Sequence, residues 1–220
     1  MKALAIFGST ARNERSFDSD IDMIGIYDNK QISSISKGSV SLFLYPESIL
    51  IEKMRAGDLF ALHLVKESMP IYGSEILNNI FDHFEYKSNY SEEINTALKV
   101  SDEILSIYNK LKEHREANKK LSWCLRTIII SMSAQDKKPV FSKKHLSEYI
   151  KLENTEPRKI LTLINVKGMP GRLPEKIINI FSFIFKELQK KCNLSNDNYD
   201  EKLFFKILEG VNKNNKKIEY

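Results

Sequence analysis

Gly8-Ser9-Thr10-Ala11-Arg12-Asn13-Glu14-Arg15-Ser16-Phe17-Asp18-Ser19-Asp20-Ile21-Asp22 joins two apolar runs, and its reading decides the fold. Ala3-Leu4-Ala5-Ile6-Phe7 before it reads as a buried strand, and Ile21-Asp22-Met23-Ile24-Gly25-Ile26-Tyr27 reads as a second. Between them a Gly-Ser turn leads into a short polar segment, enough for one or two helical turns. Side chains alternate along a strand, so Asp20 and Asp22 are expected on one face and Ile21 on the other. Two neighbouring carboxylates repel each other and would destabilise an ordinary sheet edge. A divalent cation removes that repulsion, and hard oxygen ligands suit magnesium. Gly8 lets a phosphate approach the backbone, Ser9 offers a hydroxyl, and amides at the start of the short helix favour anions. A phosphate cradle one strand away from a metal-binding acid pair is the chemistry of phosphoryl or nucleotidyl transfer. An Asp-rich turn with no chemical role would leave the Gly-Ser unexplained.

Gly8-Ser9, ten residues, then Asp20-x-Asp22 resembles the signature of the DNA-polymerase-β-like nucleotidyltransferase superfamily in its minimal form. The order of strand, Gly-Ser turn, short helix and acid-bearing strand agrees. That family usually has Ala-Arg-Gly after Gly-Ser-x, where this chain has Ala11-Arg12-Asn13. Asn tolerates a left-handed backbone better than most residues, so the change is mild. The resemblance implies that Asp20 and Asp22 are catalytic and hold Mg2+ (or Mn2+) against the phosphates of an NTP, ATP foremost. It implies that Gly8, Ser9 and Arg12 bind the nucleotide. An acceptor would attack the α-phosphate in line, with pyrophosphate leaving. Related families act on aminoglycosides, RNA 3′ ends or proteins, so the resemblance leaves the acceptor open.

The chain has 220 residues, which suits one large domain or two small ones. No apolar run has transmembrane length and no signal-peptide pattern is present, so a cytoplasmic protein with no membrane partner is expected. Cys124 and Cys192 lack metal-ligand spacing and are expected to be reduced, buried thiols. The net charge of +5 is uneven: residues 1–85 hold 8 basic and 12 acidic side chains, residues 86–220 hold 26 and 17. A basic half favours a polyanionic acceptor such as tRNA, as in toxin-like members, over a cationic aminoglycoside. Lys-rich solvated helices explain the same imbalance without any partner. A homodimer is compatible with the sequence but not demanded by it.

Farther along, residues 31–38 read as a loop or irregular edge, and Ser39 to Tyr45 as a third strand. Pro46-Glu47-Ser48 starts a helix that Gly57 stops, and Asp58 is placed to cap the next, Asp58 to Glu67. Met69-Pro70-Ile71-Tyr72 reads as a small final strand. From Glu75 onward only helices are expected: Ile76 to Phe84, Ser91 (as cap) to about Asn118, an apolar central helix Leu121 to Ala134, then helices from Ser142, Pro157, Pro174 and residue 198. The expected fold is thus an α/β (α+β) nucleotidyltransferase domain with a small mixed sheet over residues 1–85, followed by an all-α helical bundle over 86–220.

Superfamily members that transfer nucleotides usually carry a third acid on the next strand. Here Ser41 (or Ser39) stands in its place, and a serine is neither a base at neutral pH nor a good magnesium ligand. Three readings stay open: one metal held by Asp20, Asp22 and the triphosphate; a carboxylate recruited from Asp58 or Glu47; or lost catalysis with nucleotide binding kept, as in a regulatory or antitoxin-like protein. His63 reads as a satisfied core histidine, with a chemical role as the alternative. Trp123 reads as core. Arg126, on an apolar helix, needs a carboxylate or a bound phosphate. No Arg-x4–6-His motif of the HEPN RNases occurs in the helical half, so a fused RNase is not expected.

Overall fold

The structure is a computed structural model that describes residues 1–15, 20–153, 155–193 and 198–216, the last four as backbone only. Ser16, Phe17, Asp18 and Ser19 of the joining stretch lie outside the described residues, as do residues 217–220 of the C-terminal tail. The chain divides into two compact units, Met1–Ser88 and Asn89–Tyr220.

The first unit is an α+β domain. Its strands are β1 (Ala3–Phe7), β2 (Ile21–Tyr27), β3 (Ser33–Lys37), β4 (Val40–Pro46) and β5 (Met69–Tyr72), in the sheet order β3-β4-β2-β1-β5. β2 and β4 run parallel and the other neighbours antiparallel, so the sheet is mixed. One face carries Ala3, Ala5, Phe7, Ile24 and Ile26, all buried, and packs under α1 (Glu47–Arg55), α2 (Leu59–Glu67) and α3 (Ser74–Phe81). The helices bring Leu50, Met54, Ala61, Leu64, Leu77 and Ile80 to that core. Apolar burial of this kind is the main stabilising term, at about 25 cal/mol per Å².

β3 falls where residues 31–38 read as a loop or irregular edge: it lies at the edge of the sheet, but as a regular strand. It is an edge strand exposed at every position, so its Ser-rich sequence has no apolar alternation to betray it. Its pairing with β4 is set by the two-residue connection Gly38-Ser39, with Gly38 at φ 59°, glycine at positive φ being what short hairpins favour.

Asp58 caps α2: its Oδ1 accepts from Phe60 N at 2.9 Å and Ala61 N at 3.2 Å, while Lys53 Nζ reaches Oδ2 at 2.8 Å. Asp58→Ala is therefore expected to destabilise the first unit by about 1 kcal/mol, measured by urea unfolding, because two first-turn amides lose their acceptor.

The second unit is helical among its described residues: α4 (Ser91–Ile107), α5 (Arg115–Gln135), α6 (Lys143–Tyr149), α7 (Pro157–Asn165), α8 (Glu175–Cys192) and α9 (Glu201–Lys216). The helix expected from Ser91 to Asn118 is interrupted. The chain leaves α4 at Ile107, makes a 3-10 turn over Tyr108–Lys110 and starts α5 at Arg115. A straight helix would hold residues 108 and 118 about 15 Å apart. The break instead lets the Tyr108 hydroxyl donate to Asn118 Oδ1 at 2.7 Å. Asn118 Nδ2 donates to the carbonyls of Met169 and Gly171, each at 2.9 Å, and Leu173 N donates to the Tyr108 oxygen at 3.0 Å. One buried amide thus pins the loop before α8. Asn118→Ala is expected to cost about 2 kcal/mol in the unfolding of this unit, since it strands the Tyr108 hydroxyl and leaves two carbonyls without their donor.

Ser91 is the first residue of α4 and makes no side-chain cap; Tyr90 holds the cap position. α9 continues to Lys216, past the frayed end expected from residue 212. Cys124 and Cys192 are both free. Cys124 is fully buried, and burial pushes its thiol far up, whereas Cys192 is half-buried. Among the described residues no helix is long and apolar enough to cross a membrane.

Candidate active site

Strand register brings the two halves of the joining stretch together. Phe7, the last residue of β1, pairs with Asp22 on β2. The next residue, Gly8, leaves the strand at φ 72°, a conformation open to glycine at little cost. Ser9 to Arg12 then form one helical turn, in which Arg12 N donates to Gly8 O at 3.2 Å. Asn13 closes it at φ 57°, with Glu14 N on Ser9 O at 2.9 Å and Asn13 N on Thr10 O at 3.2 Å. That pair of bonds around a left-handed residue is a Schellman closure, and Asn is the residue after Gly best suited to it.

Asp22 stands in the same row as the buried Ile24 and Ile26, at the end of the row, and is half-buried. Its Oδ2 lies 3.4 Å from the point where a Cβ on Gly8 would sit. The carboxylate and the bend are therefore in contact across β1 and β2. Asp20 differs from the expectation of a strand-borne pair. It precedes β2 and is exposed, because pairing starts at Ile21, whose N donates to Ser39 O at 2.6 Å. Ser41 pairs with Asp22 in the parallel register of β2 and β4. No carboxylate occurs anywhere on β4, and Ser41 Oγ lies 3.5 Å from Ser36 Oγ on β3.

The other side of the bend is built by α2. Phe60, His63 and Glu67 recur at helical spacing on that helix. Phe60 lies edge-on to Phe7 at 5.6 Å and stacks on Tyr45 at 5.6 Å, anchoring α2 to the sheet. The His63 ring stands perpendicular to Phe7, with centroids 5.6 Å apart, and its Cε1 lies 3.9 Å from the same Gly8 Cβ point. His63 is thus half-buried at the bend rather than sunk in the core. Its Nε2 is 2.6 Å from Glu67 Oε2. Arg12 Nη1 donates to that same Glu67 oxygen, and Arg12 Nε donates to Glu14 Oε2 at 2.8 Å.

Glu67 was not singled out by sequence reasoning, yet it ties Arg12 of the turn and His63 of α2 to one carboxylate with only a tenth of its side chain exposed. Its signal was available as a His and a Glu four residues apart at the end of an apolar helix. Arg12, read as a nucleotide ligand, is engaged here by two acids. Asp58 serves as the cap described above, and Glu47 pairs with Lys2 at 3.4 Å. Arg126 belongs to α5 in the other unit. There burial, and then the charges of Lys167 and Arg126, hold the Lys143 ammonium below its ordinary value. Trp123 packs against the helical core.

Among the described residues no group of three or more His, Cys, Asp and Glu side chains is placed to hold a metal ion. A cation bound by Asp22 and Asp20 would draw its remaining ligands from a polyphosphate and water, the manner in which Mg2+ is ordinarily bound.

No protein-family model and no curated protein matches this sequence. Among solved structures, that of a nucleotidyltransferase-like protein from Exiguobacterium sibiricum 255-15 is similar over 98% of this chain and 75% of its own, at a TM-score of 0.39 and 13% sequence identity.

Proposed function

We propose that the chain is a metal-dependent nucleotidyltransferase, moving an NMP from an NTP to an acceptor with release of pyrophosphate. The observation that carries this reading is the contact between the Asp22 carboxylate and the Gly8 bend, 3.4 Å from the Gly8 Cβ point. Asp22 and Asp20 would hold Mg2+ or Mn2+, which would supply positive charge against the negative phosphate oxygens. Gly8 admits the β- and γ-phosphates to the backbone, and the Ser9 hydroxyl donates to them. Among the described residues of the joining stretch the acids Glu14, Asp20 and Asp22 outnumber the bases Arg12 and Arg15, a balance that supports a cation. Arg126, Lys143 and Lys167 in the helical unit support a polyanionic acceptor such as RNA.

The test is transfer of label. The protein is incubated with Mg2+ or Mn2+, each α-labelled NTP in turn, and either total RNA or a protein extract. Label in RNA or protein that depends on Asp20 and Asp22 is the expected result. No transfer with any NTP or acceptor pool contradicts it.

A second reading is favoured by one observation, Ser41 beside Asp22 where a third carboxylate would stand. It is a nucleotide-binding regulatory or antitoxin-like protein without turnover. The same assay separates the two, because that protein binds NTP and transfers nothing.

A further inference from the structure

We propose that His63 is the hydrogen-bond donor for the polyphosphate oxygens that the metal leaves uncoordinated, and that Glu67 is the residue that positions it. This rests on the reading of Gly8-Ser9 as the polyphosphate site.

The bend is flanked by two different chemistries. Asp22 Oδ2 is 3.4 Å and His63 Cε1 3.9 Å from one point above Gly8, hence the two lie no more than 7.3 Å apart. A cation belongs on the carboxylate side. The phosphate oxygens facing away from it need donors beyond the Ser9 hydroxyl. Arg12, the obvious donor by sequence, is already spent on Glu14 and Glu67. The imidazole is another N–H donor, and it lies against the bend. Its ring is fixed from two sides, by the perpendicular contact with Phe7 and by Glu67 Oε2 at 2.6 Å from Nε2. Glu67 sets the orientation of the ring, as a carboxylate behind a histidine does elsewhere. Glu67 also holds the turn through Arg12, so the phosphate bend and the donor move as one piece.

The test needs no acceptor. Binding of inorganic pyrophosphate and of ATP, each with Mn2+, is measured by calorimetry for the wild type, His63→Ala, His63→Gln and Glu67→Gln, with circular dichroism confirming the fold of each. His63→Ala is expected to weaken pyrophosphate binding tenfold or more. His63→Gln, which keeps an N–H donor, is expected to recover part of it. A 15N spectrum of the histidine rings, with Mg2+ in place of paramagnetic Mn2+, supplies a readout that a structural role would not move. The chain has four histidines, and the resonance missing from His63→Gln is assigned to His63. That resonance is expected to shift on adding pyrophosphate, and less so in Glu67→Gln. Unchanged affinity in a folded His63→Ala, or, should that variant not fold, in His63→Gln, together with an unmoved His63 resonance, overturns this role while leaving the transferase reading intact. A wild type that binds neither pyrophosphate nor ATP overturns the polyphosphate site itself, and the role of His63 falls with it.

Discussion

Asp22→Asn is expected to lower label transfer by about 10³-fold or more, with the fold unchanged. The magnitude follows from the metal's contribution to transition-state charge, several kcal/mol, at 1.36 kcal/mol per tenfold in rate. Asparagine has the same shape as aspartate, so the pairing of residue 22 with Phe7 on β1 and Ser41 on β4 survives the change. What is lost is a charge beside the Gly8 bend. The check is transfer rate and urea unfolding measured on the same preparation. Loss of rate with stability altered by less than about 1 kcal/mol identifies a chemical role, since ordinary surface substitutions stay within that range. Asp20→Asn is expected to behave alike, and its exposed position makes a structural explanation weaker still. Retained transfer in Asp22→Asn would remove Asp22 from the site.

Gly57→Ala is expected to destabilise the first unit by about 3 kcal/mol or more. Gly57 sits between α1 and α2 at φ 63°, where a Cβ costs about 1–2 kcal/mol by itself. A Cβ there would also stand 2.6 Å from the carbonyl oxygen of Glu85 and 2.7 Å from Lys87 N. These are backbone atoms, and the segment is tied down by Glu85 N donating to Met54 O at 3.1 Å, so relief requires α1 or that segment to shift. Overpacking of this kind adds about 1–3 kcal/mol. Gly73→Ala should be comparable, with Lys2 O at 2.6 Å and the Ala3 Cβ at 2.7 Å from its Cβ point. Gly38→Ala is the control: its φ is similar, at 59°, but nothing lies within 4 Å, so only the conformational cost of about 1–2 kcal/mol remains. Urea unfolding followed by far-UV circular dichroism or sheet amide resonances measures all three. Fluorescence would not serve, since the single tryptophan, Trp123, is on α5 of the other unit.

Gly57 also shows how stability and site are linked. It is the residue before the Asp58 cap of α2, and α2 carries both His63 and Glu67. A shift of α2 along the sheet would part His63 from the bend even in molecules that stay folded.

The parts of the fold that announce themselves in sequence are those whose residues face two environments. β1 alternates buried and half-buried positions, and α2 is apolar with a capping Asp58. β5, exposed throughout, follows α2 after a single serine and was read from its apolar residues Met69 to Tyr72. The left-handed closure at Asn13 was legible because few residues other than Asn and Gly adopt it readily. β3 was legible only as a loop or irregular edge, since an edge strand exposed on both faces has no burial pattern to leave a trace. The break between α4 and α5 was hidden because Tyr108 and Asn118 each fit a helical stripe; only their hydrogen bond, made across the turn, distinguishes two helices from one. At the candidate site, Gly8 and Asp22 follow from strand order alone. For Glu67 the sequence offered only its spacing of four from His63; its tie to Arg12, 55 positions away, is a tertiary contact that no local pattern shows.

Crystals grown with Mn2+ and a non-hydrolysable NTP, measured for anomalous scattering at the manganese edge, test the central claim most directly. A peak coordinated by Asp22 and Asp20 is expected, with the triphosphate lying along Gly8 and Ser9. A peak and a nucleotide elsewhere on the chain, with Asp22 coordinating nothing, would contradict it.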